Sequence, residues 1–201
     1  MYYHRLLGRA KTTLTKKLKE NNNNFVISIS HTTRKPRSNE INGKDYYFVS
    51  KEKFEKLVKE NNFFEHANIF DNSYGTLKDP VLNFISEGKD VLFDIDWQGT
   101  QQLKKIKSLS IVTVFILPPD IKVLKERLLN RHKGEERLIE KRMKKFNEEV
   151  SHWKEYNYVV INDDLNDCYN KILEIIMLEK KGIKTKQNLN EIKDKVAQLV
   201  T

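Results

Sequence analysis

Arg34 and Arg37 flank Pro36 on a short segment, and Tyr46 follows a little further along the chain. Two guanidinium groups on a loop stiffened by proline suit a phosphate monoester, because Arg grips phosphate oxygens through paired N–H donors. The Tyr46 hydroxyl adds a further donor. Taken alone, the same loop also fits an exposed basic turn or a nucleic-acid contact. A second phosphate signal lies near the start. Gly8-Arg9-Ala10-Lys11-Thr12-Thr13 opens a helix and matches the end of the phosphate-loop pattern G-x-x-x-x-G-K-[ST]. In that pattern Lys11 reaches the β- and γ-phosphates of a nucleoside triphosphate, and the Thr12 hydroxyl serves Mg²⁺. The backbone N–H groups from Gly8 onward hold the phosphates. The two pattern glycines fall on Arg5 and Ala10. A Cβ where φ must be positive costs about 1–2 kcal/mol.

Such groups need a frame. Apolar runs alternate with amphipathic segments through most of the chain, which predicts an α/β fold with a parallel sheet flanked by helices. Strands are expected at residues 25–30, 46–50, 90–96, 111–117 and 158–162, and more loosely at 63–70. Helices are expected at 11–20, 51–60 with Ser50 as cap, 80–88 with Asp79 as cap and Gly88 as stop, 120–130, about 137–154 and 165–180. Asp71 to Gly75 reads as a turn. Residues 183–201 have weak helical periodicity and read as a loosely docked tail. Parallel strands carry active groups at their carboxyl ends, which points to Ser30 and to the acidic pair Asp94 and Asp96. Only Met1 to His4 precede Arg5, fewer than the ~5–6 residues of a usual strand. The expectation is a displaced or shortened start, with poor binding of the triphosphate if Met1 is the true first residue.

Composition narrows the class. The 201 residues are 38% apolar and 32% charged, a globular balance with room for one domain and a core. No apolar run approaches the ~20 residues of a membrane span, so a cytoplasmic location and no membrane partner are expected. Cys168 is the one cysteine, which excludes a disulfide frame or a Cys-based metal site. His31, His66, His132 and His152 lack metal-like grouping. The net charge of +9 fits either a nucleic-acid binder or an enzyme of polyanionic nucleotides.

The segment from Ser28 to Phe48, with His31-Thr-Thr-Arg34-Lys-Pro-Arg37, Glu40, Gly43 and Asp45-Tyr46, strongly resembles the GMP-binding segment of guanylate kinases. Further stretches resemble the same family in order: Phe64-Glu65, Asn72-Ser-Tyr74-Gly75-Thr76, Asp94-Ile-Asp96-Trp97-Gln98-Gly99, Phe115 to Pro119, Arg127, Arg131 and Arg142, and Ile161 to Asp164. The resemblance spans about residues 8–178.

The resemblance implies a P-loop NTPase-type core at 1–30, 89–126 and 146–180, a GMP-binding insert at 31–88, a helical lid at 127–145 and a tail at 181–201. It implies phosphoryl transfer from ATP to GMP, with Mg²⁺ accompanying ATP and dGMP as a further acceptor. Glu65 would accept hydrogen bonds from guanine N1–H and the exocyclic amine, a donor pair that adenine lacks. Ser30 and Thr76 would contact the base. Arg34, Arg37, Tyr46 and Tyr74 would hold the GMP phosphate, with Asp94 beside them. Asp96 would lie near metal and acceptor, and Lys11, Arg131 and Arg142 would neutralise charge on the transferring group. Gly8, Arg9, Ala10, Lys11, Thr12, Thr13, Arg127 and Asn162 would face ATP. Two rivals remain in view. One is a binding module on the same fold that takes GMP or a phosphorylated peptide without turnover. The other is a nucleic-acid binder, which predicts aromatic and basic residues interleaved on one face. The basic residues here are instead spread over many helices, so no nucleic-acid partner is expected. Oligomeric state is left open.

Overall fold

The structure is a computed structural model that describes residues 2–6, 10–131 and 136–200. In chain order the elements are β1 (Tyr2–Leu6), α1 (Ala10–Glu20), β2 (Phe25–Ile27), β3 (His31–Thr32), β4 (Tyr47–Phe48), α2 (Lys51–Lys59), β5 (Phe63–Ile69), β6 (Asn72–Leu77) and α3 (Lys78–Ser86). They continue with β7 (Asp90–Asp94), α4 (Trp97–Lys104), β8 (Val112–Leu117), α5 (Ile121–Arg131), α6 (Glu136–Ser151), β9 (Tyr158–Ile161), α7 (Leu165–Lys180) and α8 (Leu189–Val200). The fold is α/β, and the chain divides into two compact units. β1 takes in Arg5, the position where the sequence pattern looks for a loop glycine.

The first unit comprises residues 22–111, with Tyr2. In it β2 and β7 pair in parallel, Phe25 with Asp90 and Ile27 with Leu92. Continuous apolar sequence makes β7 central: Val91, Leu92 and Phe93 are fully buried. A second sheet has the order β4-β3-β6-β5. The expected turn at 71–75 is corrected here. Phe70 and Asp71 both take positive φ and form a two-residue turn of the kind favoured in hairpins, so Asn72 to Leu77 are free to pair with β5. The expected Asp79 cap is also corrected. Helix α3 starts at Lys78 with Leu77 at the cap position, which puts Asp79 in the first turn. Ser50 caps α2 as expected, accepting the Lys53 N–H at 3.2 Å.

The second unit comprises residues 3–21 and those from 112 onward. In it β8 and β9 pair in parallel, Val114 with Tyr158 and Leu117 with Ile161. Its core holds Phe115, Leu124, Phe146 and Trp153. The loosely docked tail is overturned. Ile192 and Leu199 of α8 are buried in this same core. Ahead of them, the Gln187 carboxamide exchanges two hydrogen bonds of 2.8 Å with the Val159 backbone, as a neighbouring strand would. The Thr185 N–H donates to the Tyr158 hydroxyl at 3.3 Å. The docking stripe is narrow: Ile192, Val196 and Leu199 recur at helical spacing on an otherwise mostly polar helix. Burying each aliphatic side chain contributes about 1.5–3 kcal/mol. Deleting residues 183–201 is expected to lower the melting temperature on the order of 10 °C. A calorimetric scan that leaves it unchanged would show that the tail adds nothing to stability.

Candidate functional site

The first unit holds a buried polar cluster, and a β-bulge builds it. The ladder between β5 and β6 pairs Phe63 with Leu77, then shifts so that Glu65 faces Thr76. Phe64 is the extra residue. Without the shift, Glu65 would face Gly75 and lose a hydroxyl neighbour. Thr76 donates to the Glu65 carboxylate through its side chain and its backbone N–H. The Thr76 hydroxyl lies 3.4 Å from the Ser30 hydroxyl, so the three residues form a short polar chain. All three are buried, Glu65 at 3% exposure. Glu65 Oε1 has no hydrogen-bond partner among the described residues. Burial pushes the Glu65 carboxyl up to about 8, the nearby Asp96 carboxylate adds to this, and the Thr76 donors oppose it. A buried carboxyl with an oxygen that meets no donor among the described residues suits a ligand that brings N–H donors.

Asp96 sits at the N-cap of α4, where its carboxylate accepts the Gly99 N–H at 3.1 Å. Helix α4 is also fastened to β5. The Gln102 side chain accepts the His66 N–H at 3.1 Å and donates to the His66 carbonyl at 2.7 Å. Sequence reading singled out neither Gly99 nor Gln102 for a role. A Gln that copies a strand's hydrogen bonds leaves no pattern in the sequence.

The second cluster is cationic. Arg34 donates two N–H bonds of 2.9 Å to the Glu40 carboxylate. Arg37 adds its backbone N–H at 2.8 Å and a side-chain bond at 3.3 Å. Burial disfavours charge on both Arg34 and Glu40, yet their mutual hydrogen bonds outweigh it. The guanidinium pKa is therefore raised and the carboxyl is held below its usual range. The Arg34 guanidinium also stands 5.3 Å over the Tyr46 ring and 5.7 Å over Phe48. Tyr46 and Tyr74 meet edge to face at 6.0 Å. Burial raises the Tyr46 phenol, and the Asp94 carboxylate raises it further, so it stays a hydrogen-bond donor. Two arginines, two phenols and one acidic placeholder make a cradle for a tetrahedral anion. Glu40 was part of the quoted motif but carried no assigned role. Its carboxylate takes both terminal nitrogens of the Arg34 guanidinium.

In the second unit, Arg127 points both terminal nitrogens at the Asn162 carbonyl, 3.5 and 3.4 Å away. Asn162 is buried, and its N–H donates to the Leu117 carbonyl at 2.8 Å. Arg142 is half-buried on α6, and Thr13 is exposed on α1. Gly8 and Arg9 lie outside the described residues, as do the side chains of Ala10, Lys11, Thr12 and Arg131. Burial raises the Cys168 thiol to about 12, so it is no nucleophile. Among the described residues no helix is long and apolar enough to cross a membrane.

A buried carboxyl and a double-arginine cradle on the same small sheet, within an α/β fold, fit a protein built to handle nucleoside monophosphates. The family model described as guanylate kinase matches residues 5–179. The guanylate kinase of Rickettsia bellii is 49% identical over 174 residues, covering 87% of this chain and 91% of that protein. That of Paramagnetospirillum magneticum is 44% identical over 173 residues, covering 86% and 81%. The crystal structure of guanylate kinase from Anaplasma phagocytophilum matches with a TM-score of 0.71 at 31% identity, covering 92% of this chain and 86% of that one. The chain belongs to the guanylate kinase family.

Proposed function

We propose that the chain is a guanylate kinase that transfers a phosphoryl group from ATP to GMP, giving ADP and GDP. The observation that carries this reading is the buried Glu65 carboxylate, with Oε1 without a partner among the described residues, on the same small sheet as the Arg34 cradle. Glu65 accepts the guanine N1–H and exocyclic amine, and Thr76 and Ser30 hold it in place. Arg34, Arg37, Tyr46 and Tyr74 take the monoester, and Glu40 yields the guanidinium fork to it. Burial first and Asp94 second hold the Tyr46 phenol well above its ordinary value, so it remains a donor. On the ATP side the reading assigns Gly8 to Thr13 to the phosphates, with Lys11 as the cation on the transferring group. Arg131 and Arg142 neutralise charge there, while Arg127 and Asn162 face the nucleoside. Catalysis is then positioning and charge stabilisation, with no covalent enzyme intermediate.

A divalent cation accompanies ATP in kinase chemistry, and Mg²⁺ is the one this reading names. It is held chiefly by phosphate oxygens and water with one or two protein oxygens. The residue offered by motif is Thr12, whose hydroxyl is a hard oxygen donor of the kind such a cation takes. The cation supplies charge neutralisation between the phosphates. The same reading includes a cytoplasmic location and acceptance of dGMP.

A coupled assay of ADP and GDP formation tests the reading, with AMP and UMP as control acceptors. GMP-dependent turnover and silence with the controls are expected. Equal turnover with AMP would remove the role given to Glu65. GMP binding without any turnover would instead favour a binding module, the outcome in which Ala10 has disabled the phosphate loop.

A further inference from the structure

The Glu65 carboxylate is held against a helix as well as by its sheet partner. A Cβ built on Gly99 would stand 2.4 Å from Glu65 Oε2, 3.1 Å from its Cδ and 2.6 Å from Ile95 Cδ1. All of these atoms are buried, so the clash has no outward relief. Gly99 lies in the first turn of α4, where its N–H is taken by the Asp96 cap and its backbone is fixed. One turn later, Gln102 clasps both backbone groups of His66, the residue next to Glu65. The cap sets the start of α4, and the clasp sets how closely it approaches β5. Between them lies the residue that offers no side chain to the carboxylate.

We infer that Gly99 is a specificity-determining position for the acceptor base and Gln102 a positioning residue that acts through it. The helix wall without a Cβ leaves the Glu65 carboxylate the space in which it faces a purine, and the Gln102 clasp keeps that wall at its distance. This rests on the reading of Glu65 as the group that takes the guanine edge. A methyl at residue 99 pushes the carboxylate away from the helix and breaks its alignment with Thr76. Base recognition then suffers, while the arginine cradle, elsewhere on the sheet, keeps its hold on the monoester.

The consequences separate by kinetic parameter. Base contacts present in both ground and transition states govern KM more than kcat. Gly99→Ala is expected to raise KM for GMP about 30-fold, the size expected when a buried hydrogen-bonding group is left poorly paired. Its kcat should stay within about threefold of the parent and its KM for ATP should not move. Gln102→Leu, which keeps bulk but loses both backbone bonds, should raise KM for GMP about tenfold in the same manner.

The decisive test is a double-mutant cycle with Glu65→Ala, read by calorimetric GMP affinity and by melting temperature. With the carboxylate gone, Gly99→Ala should add no further loss of GMP affinity. Its destabilisation should also shrink, because the methyl enters vacated space on a helix that prefers Ala and only the Ile95 contact is left to give. Should Gly99→Ala fail to fold alone, its recovery in the Glu65→Ala background supports the inference equally. Equal losses from Gly99→Ala in both backgrounds would overturn it, as would a single variant with unchanged KM for GMP. A parent protein that binds no GMP would instead overturn the underlying reading of Glu65, which keeps the two failures apart.

Discussion

Glu65→Gln is expected to weaken GMP affinity about a thousandfold while making the protein more stable in mild alkali. The first effect follows from donor and acceptor counting. A carboxylate offers two acceptors to two guanine N–H groups, whereas a carboxamide must turn one donor toward a donor. Sites built to pair a polar group reject a partner that lacks it by about 10⁴–10⁵-fold, and Gln keeps one of the two acceptors, so the expected loss is smaller, about a thousandfold. The second effect follows from linkage. The Glu65 carboxyl is raised to about 8, above the range of an exposed Glu, by burial first and by Asp96 second. The folded state therefore holds this proton more tightly than the unfolded chain does. Its favourable contribution is complete below about pH 4.5, fades as pH rises, and is gone above about pH 8. A charged, buried group then weighs on the fold by a few kcal/mol, since each tenfold difference in proton affinity between the folded and unfolded chain is worth about 1.4 kcal/mol. Gln does not titrate, so the variant should match the parent at pH 5 and melt several degrees higher at pH 9. A variant that binds GMP like the parent would end the proposed role of Glu65. A variant with no alkaline gain in melting temperature would show that the carboxyl is not held protonated in the empty pocket.

The second large effect belongs to Arg34. Its guanidinium makes two bonds of 2.9 Å to Glu40 and stacks over Tyr46. Charged hydrogen bonds contribute about 1.5–3 kcal/mol each. Arg34→Ala should therefore lower GMP affinity by about 10²–10³-fold. Arg34→Lys should recover little, since an ammonium is a point charge and cannot fork to two oxygens. Guanosine provides the control. It lacks the monoester, so its affinity should be nearly the same in parent and variant. A parallel loss for guanosine would mean that the substitution has disturbed the base pocket and that Arg34 is not a phosphate ligand. Stability carries a second signature. The Glu40 carboxyl is held low in the fold, so the pair contributes fully above the unfolded value near 4.5 and less as pH falls through the depressed one. The parent should thus exceed the variant in melting temperature at pH 7, and the gap should narrow in acid.

Much of this protein was legible in its sequence, because the groups that do chemistry had to be particular residue types close together in the chain. Arg34, Pro36 and Arg37 share one loop, and paired guanidinium groups on a stiff segment suit a phosphate monoester. Tyr46, Glu65, Tyr74 and Thr76 stood in the ordered motifs of a family, and the structure sets them all on β5, β6 and the approach to β4. The parallel α/β frame followed from apolar runs such as Val112 to Leu117, every residue of which is buried. The elements that escaped sequence reading depend on contacts between distant segments. The bulge at Phe64 decides which β6 residue meets Glu65, and nothing local to Phe63-Phe64-Glu65 announces it. The hairpin turn lies at Phe70-Asp71 because the strands that pair around it, and not turn-forming composition, set its place. Glu40 reads as any acidic loop residue until folding brings it between two guanidinium groups. Gln102, Gln187 and Gly99 matter through what they touch or leave empty. Backbone hydrogen bonds borrowed by a carboxamide, and space left by a missing Cβ, exist only once the chain has folded.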